Sequence, residues 1–181
     1  MSLKVLVVVV ALVSVCVAQS YNIDPFIQNG IPESLQMNTA PFIKIGEGYY
    51  YIETKIGKNW FDAFESCRRL GANLISFETM KEWDLVNQYL WNHDLNHIYW
   101  TSGSDLAHQG KHTWFANGEP ITLKIWGPGE PNNSGGIEHC DGLGYNRNET
   151  NYNVLNDRVC SRDTYYICET LQPKTASFVI W

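Results

Sequence analysis

The segment GPGEPNNSGGIEHC, residues 127–140, concentrates glycine, proline and oxygen-bearing side chains in a stretch with neither a helical nor a strand period. Its four glycines and two prolines oppose regular secondary structure. It also carries two carboxylates and two adjacent amides, which a simple connecting loop would not need. Long loops inside a compact domain are usually functional or disordered, so this segment is the first candidate for a binding site.

The oxygen donors of this loop and of the residues after it indicate a calcium site. They are Glu130, Asn132, Asn133, Glu138, Asp141, Asn156 and Asp157. Calcium takes six to eight oxygen ligands, whereas magnesium keeps more of its water and needs fewer protein ligands. The spacing is not that of an EF-hand, because no Asp-x-Asp-x-Asp-Gly series ends in Glu. The alternative is an ordinary solvated loop, in which Asn, Gly and acidic residues are also common.

The first residues of the chain predict export. Residues 1–18 hold Lys4, an apolar run over residues 5–17 and small residues where a signal peptidase would cleave, and that run is shorter than the about 20 residues of a membrane span. We therefore expect a cleaved signal peptide and a secreted, extracellular protein. Removing Lys4 and no acidic residue changes the formal net charge from −6 to −7. Such an acidic chain argues against nucleic acid and anionic lipid as partners.

Four cysteines remain after that cleavage, and they predict two disulfides. They are Cys67, Cys140, Cys160 and Cys168. An even set in an oxidising compartment allows three connectivities, and the absence of a CxxC pair disfavours a zinc site. A 140–160 bridge would tie two groups of oxygen donors together, because Cys140 follows Glu138 by two positions and Cys160 follows Asp157 by three.

The rest of the chain divides into a leader or linker at residues 19–42, one domain at residues 43–170 and a tail at residues 171–181. The leader holds three prolines and shows no period. In the domain, NWFDAFESCRRLGAN repeats apolar residues at helical intervals, with Asn59 as N-cap and Gly71 as the stop. A second helix is predicted over TMKEWDLVNQYLWNH, whose first threonine and first glutamate fit a capping box.

Short strands are predicted around and after these helices. FIKIGEGYYYIETKIG alternates on both sides of Gly-Glu-Gly, as a hairpin does, and HIYWTSGSD and KHTWFANGEPI are typical of aromatic strands. The second of these turns at Asn117-Gly118. DRVCSRDTYYICE closes the domain with two strand-like runs, each holding one cysteine. Two helices with short strands and long loops predict an α+β fold.

The order of these features resembles the C-type lectin-like domain over about residues 43–169. The chain has in turn a helix cysteine at Cys67, YWTSGSD where the family has a Trp-Ile-Gly-Leu strand, EPN, an acidic residue two before a cysteine, ND and two further cysteines. EPN alone would carry no weight, but the combination is specific. The resemblance implies two helices, short antiparallel sheets, a long calcium-binding loop, and disulfides that join Cys67 to Cys168 and Cys140 to Cys160.

The resemblance further implies that five residues bind both Ca²⁺ and carbohydrate. They are Glu130, Asn132, Glu138, Asn156 and Asp157. Pro131 stands where the family has a cis-proline that directs the two flanking side chains to one ion. Leu155 replaces the tryptophan of the family's Trp-Asn-Asp motif, and since it is apolar too, we expect binding to persist.

Some family members have a second calcium site. It would use positions that match Asp105, Gln109, Asn133 and the shared Glu138. Two of these are amides where carboxylates are usual, so the site carries little negative charge. We expect this second site to be weak or absent.

The function implied by the resemblance is that of a secreted lectin that binds terminal sugars on microbial or cell surfaces through Ca²⁺. In the family EPN usually accompanies mannose, fucose or N-acetylglucosamine, and QPD galactose, although some invertebrate members bind galactose with EPN. Mannose-type sugars are therefore slightly favoured and galactose stays open. Single-domain invertebrate members act in innate immunity, agglutinate bacteria and help haemocytes to encapsulate invaders. The alternative is a lectin-like domain that binds a protein partner without sugar.

A shallow, wet sugar site of this kind binds one sugar weakly, with a dissociation constant of about a millimolar. Useful avidity then requires several sites on one particle. The sequence thus favours homo-oligomers or densely presented glycans as the setting in which the protein works.

Several residues around the loop have either a functional or a structural interpretation. Asn148 in NET is the expected glycosylation site, whereas Asn132 in NNS is expected to stay unmodified because it has to face the ion. Tyr145, Tyr152 or Trp126 has the shape to stack on the apolar face of a sugar, and plain packing is the alternative.

An enzyme fits the sequence less well. Glu130 with Glu138, or Glu138 with His139, has the residue types of acid–base chemistry, but metal binding would keep these carboxylates ionised and poor as acids. Neither Gly-x-Ser-x-Gly nor His-Glu-x-x-His is present. The remaining histidines are expected on the surface or in turns rather than at a zinc ion: His93, His97, His108 and His112. We expect no enzymatic activity.

Overall fold

The structure is a computed structural model that describes residues 23–32, 34–35, 37–145 and 153–180. Its elements are, in chain order, β1 (Ile23–Asn29), β2 (Ile43–Ile45), β3 (Gly48–Lys58), α1 (Trp60–Arg69), β4 (Asn73–Leu74), α2 (Met80–Asn92), β5 (Tyr99–Ser104), β6 (Thr113–Trp114), a 3-10 turn (Ser134–Gly136), β7 (Cys140–Tyr145), β8 (Val154–Arg158), β9 (Thr164–Thr170) and β10 (Lys174–Ile180). The predicted signal peptide at residues 1–18 and the predicted glycosylation site at Asn148 lie outside the described residues.

Most strands belong to one sheet, in the order β2-β3-β9-β5-β7-β8, with β4 on β9 and β6 on β5. The pairing is antiparallel except between β5 and β9, which run parallel. Both helices pack on this sheet through their apolar faces. The α+β prediction is confirmed.

Helix α1 begins and ends where its sequence predicts. Oδ1 of Asn59 accepts a hydrogen bond from the backbone N–H of Asp62 at 3.0 Å, which caps the first turn. Gly71 follows the helix with φ of 70°, a left-handed conformation that glycine adopts without strain. The buried face of the helix carries Cys67, which bonds to Cys168.

Helix α2 has only half of the predicted capping box. Oγ1 of Thr79 accepts the N–H of Glu82 at 3.1 Å, as predicted. The carboxylate of Glu82 does not return to Thr79, however, and accepts instead the N–H of Glu78 at 3.0 Å and the hydroxyl of Tyr50 at 2.8 Å. Glu82 is thereby drawn from the helix end toward the sheet.

The strand predictions hold with one correction. β2 and β3 form the expected hairpin, with Ile45 paired to Gly48 across a two-residue turn, and the N–H of Trp114 donates to the carbonyl of Glu119 around the Asn117-Gly118 turn. The last two strands do not each hold a cysteine. Cys160 lies in the turn between β8 and β9, where it bonds to Cys140 at the start of β7.

The core consists of two buried clusters on the two faces of the sheet region. One joins α2 to the strands and includes Trp83, Leu90 and Leu155, each at most 7% exposed. The other surrounds the Cys67–Cys168 disulfide and α1. Both disulfides implied by the resemblance are present, so that prediction is confirmed.

The predicted leader and tail pair with each other. β1 and β10 form a separate antiparallel two-stranded sheet, in register from Ile23 with Ile180 to Asn29 with Lys174. Neither segment carries a local strand signal, because neither has a recognisable turn and about 150 residues separate them. Among the described residues, no helix combines the length and the apolar character that crossing a membrane requires.

Candidate functional site

The long loop between β6 and β7 is fastened to β8 at its start and to Cys160 at its end. Trp126 forms a parallel bridge with Leu155, and the N–H of Gly127 donates to the Leu155 carbonyl at 2.8 Å. At the other end Cys140 enters β7 and bonds to Cys160. The loop therefore lies over the strand that carries two of the predicted ligands. Leu155, the departure from the family motif, is fully buried in the core beneath it.

Asp157 anchors the middle of the loop. Its side chain is fully buried in β8, and its two oxygens accept the backbone N–H groups of Asn132 at 3.0 Å and Asn133 at 2.6 Å. Hydrogen bonds from backbone amides to a carboxylate are stronger than neutral ones. The EPN segment is consequently held by the residue that the resemblance names as a ligand.

Glu130 contacts a second predicted ligand on β8. Nδ2 of Asn156 donates a hydrogen bond to Oε1 of Glu130, and the Glu130–Pro131 peptide bond is cis, as the resemblance implies. Oε2 of Glu130 is buried and has no hydrogen-bond partner among the described residues. Burial, and then the neighbouring carboxylates of Asp157 and Glu138, raise the pKa of Glu130 above its usual range. A buried acceptor in a negative field is a position where a cation is stabilised.

Glu138 is hydrogen-bonded to the start of the 3-10 turn in the same loop. Its backbone N–H donates to Oδ1 of Asn133 at 3.0 Å, and Oε2 of its side chain accepts the N–H of Ser134 at 3.2 Å. Asn133 has φ of 44°, a left-handed conformation that asparagine tolerates better than most residues. The side chain of Asn132 is exposed at the surface of the loop.

The five predicted ligands thus lie on one loop and one strand. Three carboxylates and two amides are hard oxygen donors, which suit Ca²⁺ and not a thiolate-binding metal. Within the described part of the chain, no three His, Cys, Asp or Glu side chains converge closely enough to hold a metal ion by themselves. A calcium ion would need the amide oxygens, and Glu138 would have to turn from Ser134 toward Glu130.

The residues considered for a second calcium site are engaged in other contacts. Asp105 is nearly fully buried, with Oδ2 accepting the N–H of Gly110 at 2.7 Å and Oδ1 at 2.8 Å from Nδ1 of His139. Oδ1 of Asn133 accepts the N–H of Glu138. Hydrogen bonding therefore lowers the pKa of Asp105 in spite of its burial.

A buried acid–histidine cluster lies directly beneath the site. Nδ1 of His112 is 2.8 Å from Oδ1 of Asp141, and Nε2 of His112 is 3.7 Å from Oδ2 of Asp105. Asp141 is the register partner of Asp157 across β7 and β8. Burial raises the pKa of Asp141 to about 6, against the opposing effect of His112. Burial lowers the pKa of His112, but the hydrogen bond and charge of Asp141 outweigh it and raise this pKa overall.

This cluster corrects two expectations from the sequence. Asp141 is one of the oxygen donors that the sequence offers for the loop, yet its carboxylate is fully buried and accepts a hydrogen bond from Nδ1 of His112. His112 was expected on the surface or in a turn, but only 6% of its side chain is exposed. The ring of Trp126 meets His112 edge-on at 4.9 Å, so this candidate for sugar stacking is packed in the protein. One feature of the sequence could have predicted the buried position of Asp141. This aspartate directly follows a cysteine at the start of an apolar strand.

A sequence model of the lectin C-type domain matches residues 56–170, which is more than half of the chain. The chain belongs to the C-type lectin family. This lectin is 43% identical over 160 residues to C-type lectin 37Da of Drosophila melanogaster, with 86% of this chain and 85% of that relative aligned. The family assignment implied by the EPN and ND motifs is confirmed.

Solved structures of C-type lectins have the same fold as this lectin. The cow carbohydrate-recognition domain of CD23, whose crystal was obtained in the presence of a GlcNAc2Man3 oligosaccharide, superposes with a TM-score of 0.61 at 25% identity, over 81% of this chain and 99% of that one. The mouse scavenger receptor C-type lectin domain gives a TM-score of 0.64 at 21% identity, over 75% and 98% of the chains. These relatives and neighbours are binding proteins, and the prediction that the chain is not an enzyme is confirmed.

Proposed function

We propose that this lectin binds terminal sugars in a calcium-dependent manner through five residues of the long loop and β8. They are Glu130, Asn132, Glu138, Asn156 and Asp157. The observation that carries the proposal is the buried, unpartnered Oε2 of Glu130, which lies beside Asn156 and in the field of two further carboxylates. A divalent cation at this position would satisfy the acceptor and offset the three negative charges.

The protein's own side chains would then complete the recognition of two neighbouring sugar hydroxyls. Calcium, when bound, supplies open coordination positions for those hydroxyls. Each hydroxyl donates a hydrogen bond to Glu130 or Glu138 and accepts one from the amide of Asn132 or Asn156. The pairing of one acceptor with one donor on each side selects the relative orientation of the two hydroxyls.

The order Glu-Pro-Asn favours mannose-type sugars slightly over galactose. The family resemblance supports this choice, and the oligosaccharide present with the CD23 domain contains mannose. We further infer that the protein is secreted, that its targets are glycans on microbial or cell surfaces, and that it serves innate immunity by agglutination and haemocyte encapsulation. The insect lectins among its relatives support this setting.

Retention on mannose-agarose and galactose-agarose, each with calcium and with a chelator, tests the proposal. We expect calcium-dependent retention, stronger on mannose. The Glu130→Gln variant should lose more than about a hundredfold in calcium affinity, since even outer partners of a metal site are worth 10–100-fold. Retention should also weaken as the pH falls, because Glu130 has a raised pKa and protonation competes with the ion.

The matched control is Glu65→Gln, which removes an exposed carboxylate on α1 whose partner is Arg69. It should bind calcium and sugar as the wild type does. Retention that the chelator leaves unchanged would contradict the proposal. Calcium binding by calorimetry without retention on either resin would point instead to a protein partner.

A further inference from the structure

The sheet formed by β1 and β10, here called the terminal ribbon, exposes apolar side chains on both faces. The large ones are Phe26, Ile27, Phe178 and Val179, which are between 48% and 67% exposed. A two-stranded sheet on its own is at best marginally stable in water. Exposed apolar residues gathered on such a sheet indicate an interaction surface.

The register of the terminal ribbon shows that its two outer edges differ. The N–H of Gly30 donates to the carbonyl of Pro173 at 2.7 Å, and these two residues continue the register of the strands. Because hydrogen-bonded and non-hydrogen-bonded pairs alternate in antiparallel sheets, Pro25 on β1 and Phe178 and Ala176 on β10 direct their backbone polar groups outward. Proline has no N–H to offer, so Pro25 interrupts the outer edge of β1. The outer edge of β10 has no such interruption from Lys174 to Ile180.

We propose that the outer edge of β10 pairs with the same edge of a second copy of this chain, antiparallel and about a two-fold axis at Ser177. The product is a continuous four-stranded sheet in the order β1, β10, β10 of the second copy, β1 of the second copy. Centring the axis on Ser177 makes the outward groups of Ala176 and Phe178 hydrogen-bond partners across the interface. The large exposed ring of Phe178 then lies opposite the small side chain of Ala176 on each side, so that the two edges complement each other.

The charges of the ribbon leave its shared edge without like-charge pairs. The chain carries a net charge of −6, which by itself opposes self-association. The ribbon holds only Asp24 and Lys174 as charged residues, and they stand at its opposite ends. In the two-fold arrangement Lys174 lies opposite Ile180 of the second copy and Asp24 lies on β1, away from the shared edge, so no like charges are paired across it.

A dimer of this kind would present two sugar sites on one particle. Weak single-site binding gains strongly from such bivalency without any new sugar contact. The dimer itself rests on the ribbon alone and does not require calcium, so its failure and the failure of the proposed sugar binding can be told apart.

Sedimentation of the mature chain in chelator, over a range of protein concentrations, tests the proposal. The wild type should approach twice the monomer mass at high concentration. Ala176→Pro removes an outward N–H and leaves the inward hydrogen bonds to β1 in place, so it should sediment as a monomer at every concentration. Ala176→Ser keeps the N–H at similar size and should associate as the wild type does. A wild type that stays monomeric throughout, or an Ala176→Pro variant that associates equally, would overturn the proposal.

Cysteine cross-linking tests the position of the axis. Ser177 would face Ser177 of the second copy in a non-hydrogen-bonded pair, with Cα atoms about 4.5 Å apart, which a disulfide can bridge. Ser177→Cys should therefore give a covalent dimer under mild oxidation. Val179→Cys lies on the same strand but would face Thr175 of the other copy, so it should cross-link much more slowly. Equal rates for the two variants would show association without this register. If a strand of another protein occupies this edge, the cross-linked product would contain that protein together with this chain.

Discussion

Two clusters of buried acids in the described part of this lectin differ in how their charge is compensated. Beneath the long loop, Asp105 and Asp141 flank the imidazole of His112, whose raised pKa favours the protonated form. Between α2 and β9, the carboxyl groups of Glu82 and Glu169 are neighbours, and burial raises the pKa of both. Burial, followed by the charge of Glu82, raises the pKa of Glu169 to about 8. One cluster pairs its acids with an imidazole, and the other places two carboxyl groups beside each other.

The difference follows from the surroundings of each cluster in the fold. Asp141 lies beside Asp157 in the sheet, so the charge beneath the candidate binding site is balanced by a residue that the fold holds in position. Glu82 accepts the hydroxyl of Tyr50 and Glu169 accepts the N–H of Ser76 at 3.3 Å, which ties the start of α2 to the sheet without a cation.

Replacing His112 should cause the largest loss in the free energy of unfolding, because it removes the central residue of the first cluster. His112→Leu leaves Asp141 buried without its ion-pair partner, while Asp105 keeps His139 and the N–H of Gly110, and breaking a buried ion pair costs about 3–5 kcal/mol. Urea unfolding in calcium-free buffer measures the loss. His108→Leu, at an exposed position of the loop after β5, should change the free energy of unfolding little. Equal losses in the two variants would show that His112 contributes only packing.

The second cluster should make stability depend on pH with a defined sign. Burial and the charge of Glu82 raise the pKa of Glu169 to about 8 in the folded chain, whereas this carboxyl has its ordinary pKa near 4.5 in the unfolded chain. The free energy of unfolding should therefore fall as the pH rises through this window, by at most about 1.4 kcal/mol per pH unit for one proton. Unfolding of the wild type and of Glu169→Gln at a series of pH values, in chelator, isolates this contribution. Parallel pH profiles for the two proteins would refute it.

Replacing Glu78 should have the smallest effect on stability, and it tests how strongly Glu82 and Glu169 respond to a nearby exposed charge. Glu78 is exposed, and its negative charge adds to the raised pKa of both Glu82 and Glu169. Glu78→Gln should shift the stability profile to slightly lower pH, by much less than Glu169→Gln changes it, because exposed charges interact weakly. The exposed Glu65→Gln serves as the control and should leave the profile unchanged. A shift as large as that of Glu169→Gln would mean that Glu78 interacts with Glu82 and Glu169 as strongly as these two interact with each other.

Local signals in the sequence predicted the helices correctly. Asn59 and Thr79 cap their helices because capping depends on a side chain and an N–H three residues later, which lie close in any chain. Glu82 shows where such rules stop. Its sequence position fits a capping box, but the hydroxyl of Tyr50, 32 residues away, competes successfully for the carboxylate.

Contacts between distant segments were the part that the sequence did not reveal. The resemblance supplied both disulfides and the cis bond before Pro131, because family members share their topology. The His112 cluster needs β7 beside the loop after β5, and the terminal ribbon needs the two chain ends to meet. Neither arrangement has a local pattern, so only the three-dimensional structure shows them. The ligand set stays a prediction that calcium binding has to test.

The sheet formed by β1 and β10 also makes a circular permutation of this lectin feasible. Ile23 and Ile180 are register partners, so the first and last strands finish side by side at one corner of the molecule. In a variant that consists of residues 23–180, a short linker between Ile180 and Ile23 would close the polypeptide into a ring, and new ends could then be opened at an exposed turn such as that of Gly110. The same corner would serve as a common attachment point for a module fused to either end of that variant.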